Sequence, residues 1–141
     1  LVWKLYYEMQ MPFLLGYKKI YGDLESFHVS GICIANHALN SKKNDNSKMS
    51  KKFYVEKYFF AKEKNFPGIN AMSISDITGI PRATVVRKLN KLLKKNFLRI
   101  DEKKHYSFTG VYKKEILAVQ NYTLDNLSKF VARIYNLNLL K

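Results

Sequence analysis

The sequence predicts a mainly α-helical protein organised around two helices that are joined by a tight turn and followed by a short β-hairpin. Within residues 73–109, apolar residues recur at three- and four-residue spacing on either side of Gly79 and Pro81. Two short runs that alternate apolar and polar residues follow, at 97–100 and 106–108. We therefore expect a helix pair and a hairpin, with additional helices nearer the two ends of the chain.

The two central helices have recognisable ends. Ser73 or Ser75 can cap the first helix, because a serine hydroxyl accepts a hydrogen bond from an orphan amide. Gly79 suits the left-handed conformation that commonly follows a helix. Pro81 suits the start of the second helix, where its missing N–H costs nothing, and we expect that helix over residues 81–95. The apolar residues of the first helix are Ile74 and Ile77.

The second helix combines an apolar face with a face of one charge sign. Val85, Leu89 and Leu92 share one side at about 100° per residue. An ordinary solvated helix mixes Glu with Lys, because oppositely charged i,i+4 pairs stabilise it. The cations of this helix could form an ordinary solvated face or bind a polyanion. We prefer polyanion binding, because these cations lie on the second helix of the pair. From residue 81 to 95 there are six cations and no acid: Arg82, Arg87, Lys88, Lys91, Lys94 and Lys95.

At these residues the chain resembles the winged helix-turn-helix regulators of bacteria. Residues 74–98, ISDITGIPRATVVRKLNKLLKKNFL, are similar to their pattern of a short helix, Gly, a small residue or Pro, Arg, Thr-Val, Arg and spaced Leu. Asn96 stands where that pattern usually has Gly before the wing, and Asn also tolerates a left-handed conformation. The resemblance, which MarR-like and GntR-like groups share, implies a three-helix DNA-binding unit with a hairpin wing at 97–109.

The resemblance also implies that the second helix lies in the major groove. We expect Arg82, Thr84, Arg87 and Lys91 to face the groove, and the fork of Arg87 fits the O6 and N7 atoms of guanine. Lys94 and Lys95 should lie towards phosphates, and the wing tip towards the minor groove or backbone. The candidate DNA-binding residues are Arg82, Thr84, Arg87, Lys88, Lys91, Lys94, Lys95, Lys103 and Lys104.

Charge divides the chain into four expected segments. Residues 1–40 carry three Lys and three acidic residues, so the whole formal charge of +14 lies in 41–141. We expect a basic linker or loop at 41–52 and the DNA-binding domain at 53–112. The apolar N-terminal segment and the helix expected in 113–141 should pack together and form a homodimer, while the basic part contacts a polyanion.

Proline and glycine residues divide the N-terminal segment into two expected helices. Pro12 should end or offset the opening helix, and Gly16 and Gly22 should mark turns. A second helix is expected at 24–39. Either that helix or one expected at 53–65 is the first helix of the DNA-binding unit, and the sequence leaves both open. The apolar stripe expected on the helix at 24–39 comprises Leu24, Phe27, Gly31, Ala35 and Ala38.

The sequence contains no pattern that supports an enzyme, a cofactor or a metal. It has no P-loop, dinucleotide fingerprint, His-Glu-x-x-His or Cys-x-x-Cys. Cys33 and His37 are one helical turn apart without a third partner, so we expect a structural role for both. No run of about 18 apolar residues predicts a membrane span. The single cysteine fits a reducing cytoplasm, and we expect the protein there, associated with the nucleoid.

The leading prediction is a sequence-specific transcription regulator that binds double-stranded DNA as a homodimer. Nothing in the sequence supports a small-molecule effector. Two alternatives remain at this stage. One is a winged helix that serves as a protein-interaction module, and the other is a replication or plasmid-partition protein that binds DNA through the same fold.

Overall fold

The computed structural model describes residues 1–42 and 68–137, which are mainly helical, as predicted. The predicted helix at 53–65 and most of the predicted linker at 41–52 lie outside the described residues. In the described ranges, no helix combines the length and the apolar character that crossing a membrane requires. The elements are α1 (Val2–Tyr21), α2 (Leu24–Lys42), α3 (Ala71–Thr78), α4 (Arg82–Lys94), β1 (Leu98–Ile100), β2 (Tyr106–Phe108) and α5 (Lys113–Asn136).

The described residues fall into two compact units. Those in 1–24 and 113–137 form one unit, which contains α1 and α5. Those in 25–112 form the other, which contains nearly all of α2 together with α3, α4 and the hairpin. The compact units therefore group α2 with the helix pair and the hairpin, whereas the sequence-based division groups it with α1.

The first unit is an antiparallel pair of helices. Near one end, Arg133 donates a hydrogen bond to Glu8 at 3.1 Å, and near the other end Gly16 lies against Val119. A Cβ atom at Gly16 would stand 3.0 Å from Val119 Cγ1, which is closer than ordinary carbon contacts. The missing side chain of Gly16 therefore lets the two helices approach closely.

Two expected interruptions of α1 are wrong. Pro12 and Gly16 both lie inside a single helix that ends at Tyr21, where Gly22 adopts a left-handed φ of 89°. Pro12 removes one hydrogen bond and Gly16 lowers helix propensity. Contacts with α5 on both sides of Pro12 explain why the helix continues, since tertiary packing overrides local propensity.

The apolar stripe expected on α2 is also wrong. Leu24 is 43% exposed, and Ala35 is exposed as well. The buried side uses smaller or more polar side chains at i, i+3, i+4, i+7 and i+11, which are Ser26, Val29, Ser30, Cys33 and His37. Small side chains allow close packing, so here residue size decides the buried side more than hydrophobicity does. Burial raises the pKa of the Cys33 thiol to about 12, which keeps it protonated and unreactive.

Asn70, rather than Ser73 or Ser75, caps α3. The side chain of Asn70 accepts a hydrogen bond from the Ser73 amide at 2.9 Å. Ile74 is fully buried, whereas Ile77, which we expected beside it, is 61% exposed. Gly79 ends α3 with a left-handed φ of 70°, as predicted.

Asn96 stops α4 through a Schellman arrangement. Its φ is 58°, its amide donates to the Leu93 carbonyl, and the amide of Phe97 donates to the Leu92 carbonyl at 3.0 Å. Phe97 is buried immediately after the turn. The turn therefore directs the chain from the end of α4 into the hairpin. Asn96 adopts the left-handed conformation that we expected of it in place of the usual Gly.

We predict that the left-handed backbone at Asn96 sets a measurable preference among replacements. Asn96→Ala should lower the free energy of unfolding by about 1 kcal/mol, because a Cβ-bearing residue without a polar side chain is strained there. Asn96→Gly should match or exceed the parent, since the Asn96 side chain is exposed. Chemical denaturation of the three proteins checks this, and equal stability of the Ala and Gly variants would contradict it.

Candidate nucleic-acid interface

Within the described part of the chain, helix α4 is held by one side. Val85, Leu89 and Leu92 are all fully buried, which fixes the rotation of the helix about its axis. Full burial of an aliphatic side chain stabilises by about 1.5–3 kcal/mol. The opposite side of α4 is consequently presented to solvent in a fixed orientation, as the periodicity predicts.

Side-chain hydrogen bonds also fasten the turn that leads into α4. The Ser75 hydroxyl donates to the Ile80 carbonyl at 2.7 Å. The Thr78 hydroxyl donates to the Ile74 carbonyl at 2.7 Å and accepts from the Ile80 amide at 3.2 Å. Pro81 precedes the first helical residue with φ −53°. The entry to α4 is thus set by α3 rather than left to a flexible loop.

The solvent side of α4 forms a shallow basic depression, which we name the α4 face. Arg87 and Lys94 lie near its centre, opposite Val85 and Leu92 at about 100° per residue. The side chains that line the α4 face are Ala83, Val86, Arg87, Asn90, Lys91, Lys94 and Lys95.

Four cations on or beside this face have no neighbouring acid among the described residues. Among residues 1–42 and 68–137, no carboxylate lies within 4.0 Å of the charged groups of Arg82, Arg87, Lys94 or Lys95. All four residues are exposed. Like charges on one side of a helix repel one another. The arrangement therefore favours a ligand that carries several negative charges.

Lys88 requires a correction to the candidate set. It is only 8% exposed and lies on the buried side of α4, beside Leu89. Its ammonium group forms an ion pair with Glu25 of α2, with an Nζ–Oε2 distance of 2.9 Å. The charge count treated Lys88 like the other cations, but its position on the helix assigns it to packing against α2.

The remaining candidates on α4 lie at the edges of the face. Arg82 is exposed in the first turn, where a recognition helix meets its ligand. Thr84 is half-buried, so only part of its side chain is accessible. Lys91 is also half-buried, but it lines the face.

The hairpin carries two of the predicted site residues at its tip. Strands β1 and β2 pair antiparallel with Arg99 opposite Ser107, which confirms the predicted hairpin. Lys103 and Lys104 are exposed in the connection. Lys104 has a left-handed φ of 60°, the conformation that a three-residue hairpin loop places before its bulge. A charge test at this position should use Gly, because Ala would add backbone strain.

Asp101 closes that connection. Its carboxylate accepts a hydrogen bond from the His105 amide at 2.8 Å, and its carbonyl accepts one from the Lys104 amide at 3.0 Å. The His105 amide is the main reason that the pKa of Asp101 lies below its usual value. The loop that displays Lys103 and Lys104 is therefore held by its own backbone.

The hairpin is attached to the segment before α3 as well as to α4. The amide of Ile69 donates to the Tyr106 carbonyl at 3.0 Å, and the amide of Tyr106 donates to the Ile69 carbonyl at 2.8 Å. A Cβ atom at Gly68 would stand 2.8 Å from the Tyr106 carbonyl oxygen, so only glycine permits this approach. Phe97 stacks on Tyr112 with ring centroids 3.9 Å apart. These contacts fix the tip relative to α4.

Three residues of the α4 face were absent from the candidate set. Ala83, Val86 and Asn90 share the depression with Arg87 and Lys94. The sequence could have indicated Ala83 and Asn90, because at about 100° per residue both lie on the side of the helix opposite Leu92. Val86 could not, because its hydrophobicity assigns it to the core, although it is 37% exposed.

Comparisons with protein-family models, curated proteins and solved structures find no significant match to this chain. Function is therefore argued from the geometry of the α4 face and the hairpin.

We predict that the Glu25–Lys88 pair contributes to stability through coupling. Glu25→Gln should cost about 1–2 kcal/mol, because it removes the carboxylate 2.9 Å from a mostly buried ammonium group. The cost stays below that of a fully buried pair, since the Glu25 side chain is 53% exposed. Adding Lys88→Met to Glu25→Gln should recover part of the loss. Chemical denaturation of the four proteins of this cycle measures the coupling, and strictly additive losses would contradict the prediction.

Proposed function

We propose that this chain is a sequence-specific DNA-binding transcription regulator with a winged helix-turn-helix fold. In this proposal α4 is the recognition helix and the hairpin from β1 to β2 is the wing. The observation that carries it is the α4 face, a surface of one charge sign on a helix whose other side is fully buried. The proposal places the protein in the cytoplasm with the chromosome.

Double-stranded DNA matches the α4 face in charge and in size. A duplex carries one negative charge per about 1.7 Å of its axis. The 13 residues of α4 span about 20 Å at 1.5 Å per residue, and the major groove is about 12 Å wide, enough to admit an α-helix. The helix needs no rearrangement to enter the groove, because both of its ends are already capped or fastened.

The hairpin supports a second point of contact. Lys103 and Lys104 at its tip are exposed. Ile69 holds the hairpin on the segment before α3, and the Phe97 amide joins it to the Leu92 carbonyl of α4. A rigid hairpin can position two ammonium groups at the phosphate backbone or the adjacent minor groove, whereas a loose loop would lose entropy on binding.

Helix α2 is our candidate for the first helix of the three-helix unit. It shares a compact unit with α3 and α4, and Glu25 links it directly to α4. The helix predicted at 53–65 lies outside the described residues and stays the alternative.

We further propose that two copies associate through α1 and α5. Trp3, Tyr7, Met11 and Leu15 recur every four residues on α1, and each is about half exposed or more. On α5, Val131 and Tyr135 are 50% and 67% exposed. Uncharged surfaces of this kind are self-complementary, as a two-fold interface requires. The partner is a second copy because the exposed residues of this surface, Trp3, Tyr7, Met11, Leu15, Val131 and Tyr135, carry no charge and do not repel one another.

Salt dependence should separate the cations that meet DNA from the one that does not. If a dimer makes about eight phosphate contacts, log K should fall against log salt with a slope near −7. Lys94→Met should reduce the magnitude of that slope by about one per subunit, and so should Lys104→Gly. Lys88→Met should leave it unchanged, because Lys88 is buried against Glu25.

Titration of random and selected duplexes at several salt concentrations measures these slopes. A parent slope shallower than about −2 would refute DNA binding through the α4 face. An effect of Lys88→Met as large as that of Lys94→Met would refute the assignment of the two lysines.

The dimer is tested by placing one charge on or off the apolar stripe of α5. Val131→Lys should convert the dimer to a monomer, because a buried ammonium group without a partner is strongly unfavourable at an interface. Ala118→Lys adds the same charge to an exposed position of the same helix, about 140° around its axis from Val131, and should leave the dimer intact. Light scattering at micromolar concentration decides, and a monomeric parent would refute the proposal.

A further inference from the structure

Uncharged side chains lie between the cations of the α4 face. Ala83 and Asn90 lie beside Arg87 and Lys94, opposite the buried Val85 and Leu92 at about 100° per residue. Val86 borders them and lines the same depression. A surface built only to attract phosphates would place lysine or arginine at these positions.

Packing explains only part of the Val86 side chain. The residue is 37% exposed, so it contributes less packing than its fully buried neighbour Val85. A β-branched residue also has lower helix propensity than Lys, Arg, Gln or Ala. Val86 therefore leaves part of an apolar side chain among the cations of the α4 face, where it can contact an apolar group of a bound ligand.

The major groove offers such a group. Among the four bases, only thymine presents a methyl group there, and apolar side chains contact it. Adenine presents N6 and N7, which pair with the amide of an Asn, and guanine presents O6 and N7 to Arg. We propose that Val86 reads a thymine methyl and Asn90 an adenine, next to a guanine read by Arg87. The inference rests on the proposed DNA-binding function and names the target of the same face.

The spacing fits a short contiguous half-site. Val86 and Asn90 are four residues apart, which is about 6 Å along the helix axis. Successive base pairs are about 3.4 Å apart, so the two side chains reach the same pair or pairs two steps apart. Arg87 lies between them in sequence. The preferred half-site should therefore contain guanine within about two base pairs of an A·T pair.

The test begins with selection of bound duplexes from a random pool by the full chain. Each thymine of the selected site is then replaced by deoxyuridine, which removes only the C5-methyl group. One such replacement in a single half-site should weaken binding by about fourfold, the effect expected from one buried methyl-sized group. Val86→Ala should bind the thymine and deoxyuridine duplexes equally.

Arg87→Ala should keep the thymine preference while losing the guanine preference. Replacing adenine by 7-deazaadenine should weaken the parent but not Asn90→Ala.

The other outcomes separate this inference from the proposed function. If a sequence is selected but deoxyuridine has no effect, or the effect persists in Val86→Ala, the Val86 assignment is overturned and DNA recognition stands. If 7-deazaadenine weakens the parent and Asn90→Ala alike, or weakens neither, the Asn90 assignment is overturned. Salt-dependent binding without any selected sequence overturns base reading by this face altogether. If no duplex is bound, the proposed function fails and the inference fails with it.

Discussion

The two-sided character of α4 is the constraint on which the rest of the structure depends. Burial of Val85, Leu89 and Leu92 stabilises by about 1.5–3 kcal/mol for each side chain. Repulsion between neighbouring cations on the other side costs only about 0.2–0.5 kcal/mol for each pair. Packing therefore outweighs repulsion, and α4 can form before any ligand is present. Binding of a polyanion then relieves the repulsion without having to fold the helix.

Lys88 and Lys94 show how position on one helix determines what a lysine does. Both belong to the same basic run, yet Lys88 pairs with Glu25 at 2.9 Å, while Lys94 is exposed on the α4 face. The pair also connects α2 to α4, because a mostly buried ammonium group needs its counter-charge nearby. One cation thus stabilises the unit, and its neighbours give the unit its surface charge.

The sequence predicted best those features that depend on local backbone geometry. Gly79 and Asn96 adopt the left-handed conformations expected of helix stops, and the hairpin forms where alternation predicts it. Prediction failed where packing decides. The buried side of α2 includes Ser26 and Ser30, because the fit of small side chains outweighs hydrophobicity there. The exposure of Val86 likewise depends on what packs beneath α4, which the periodicity of a single helix does not contain.

The most direct test of the central claim is an NMR titration of the isotope-labelled full chain with a random-sequence duplex at low salt. If the α4 face and the hairpin tip bind DNA, the largest changes in amide chemical shift should occur in residues 82–95 and 101–105. Amides of α1 and α5 should change little, since our proposal assigns those helices to association between copies. Changes concentrated in α1 and α5, or no changes at all under these conditions, would contradict the claim.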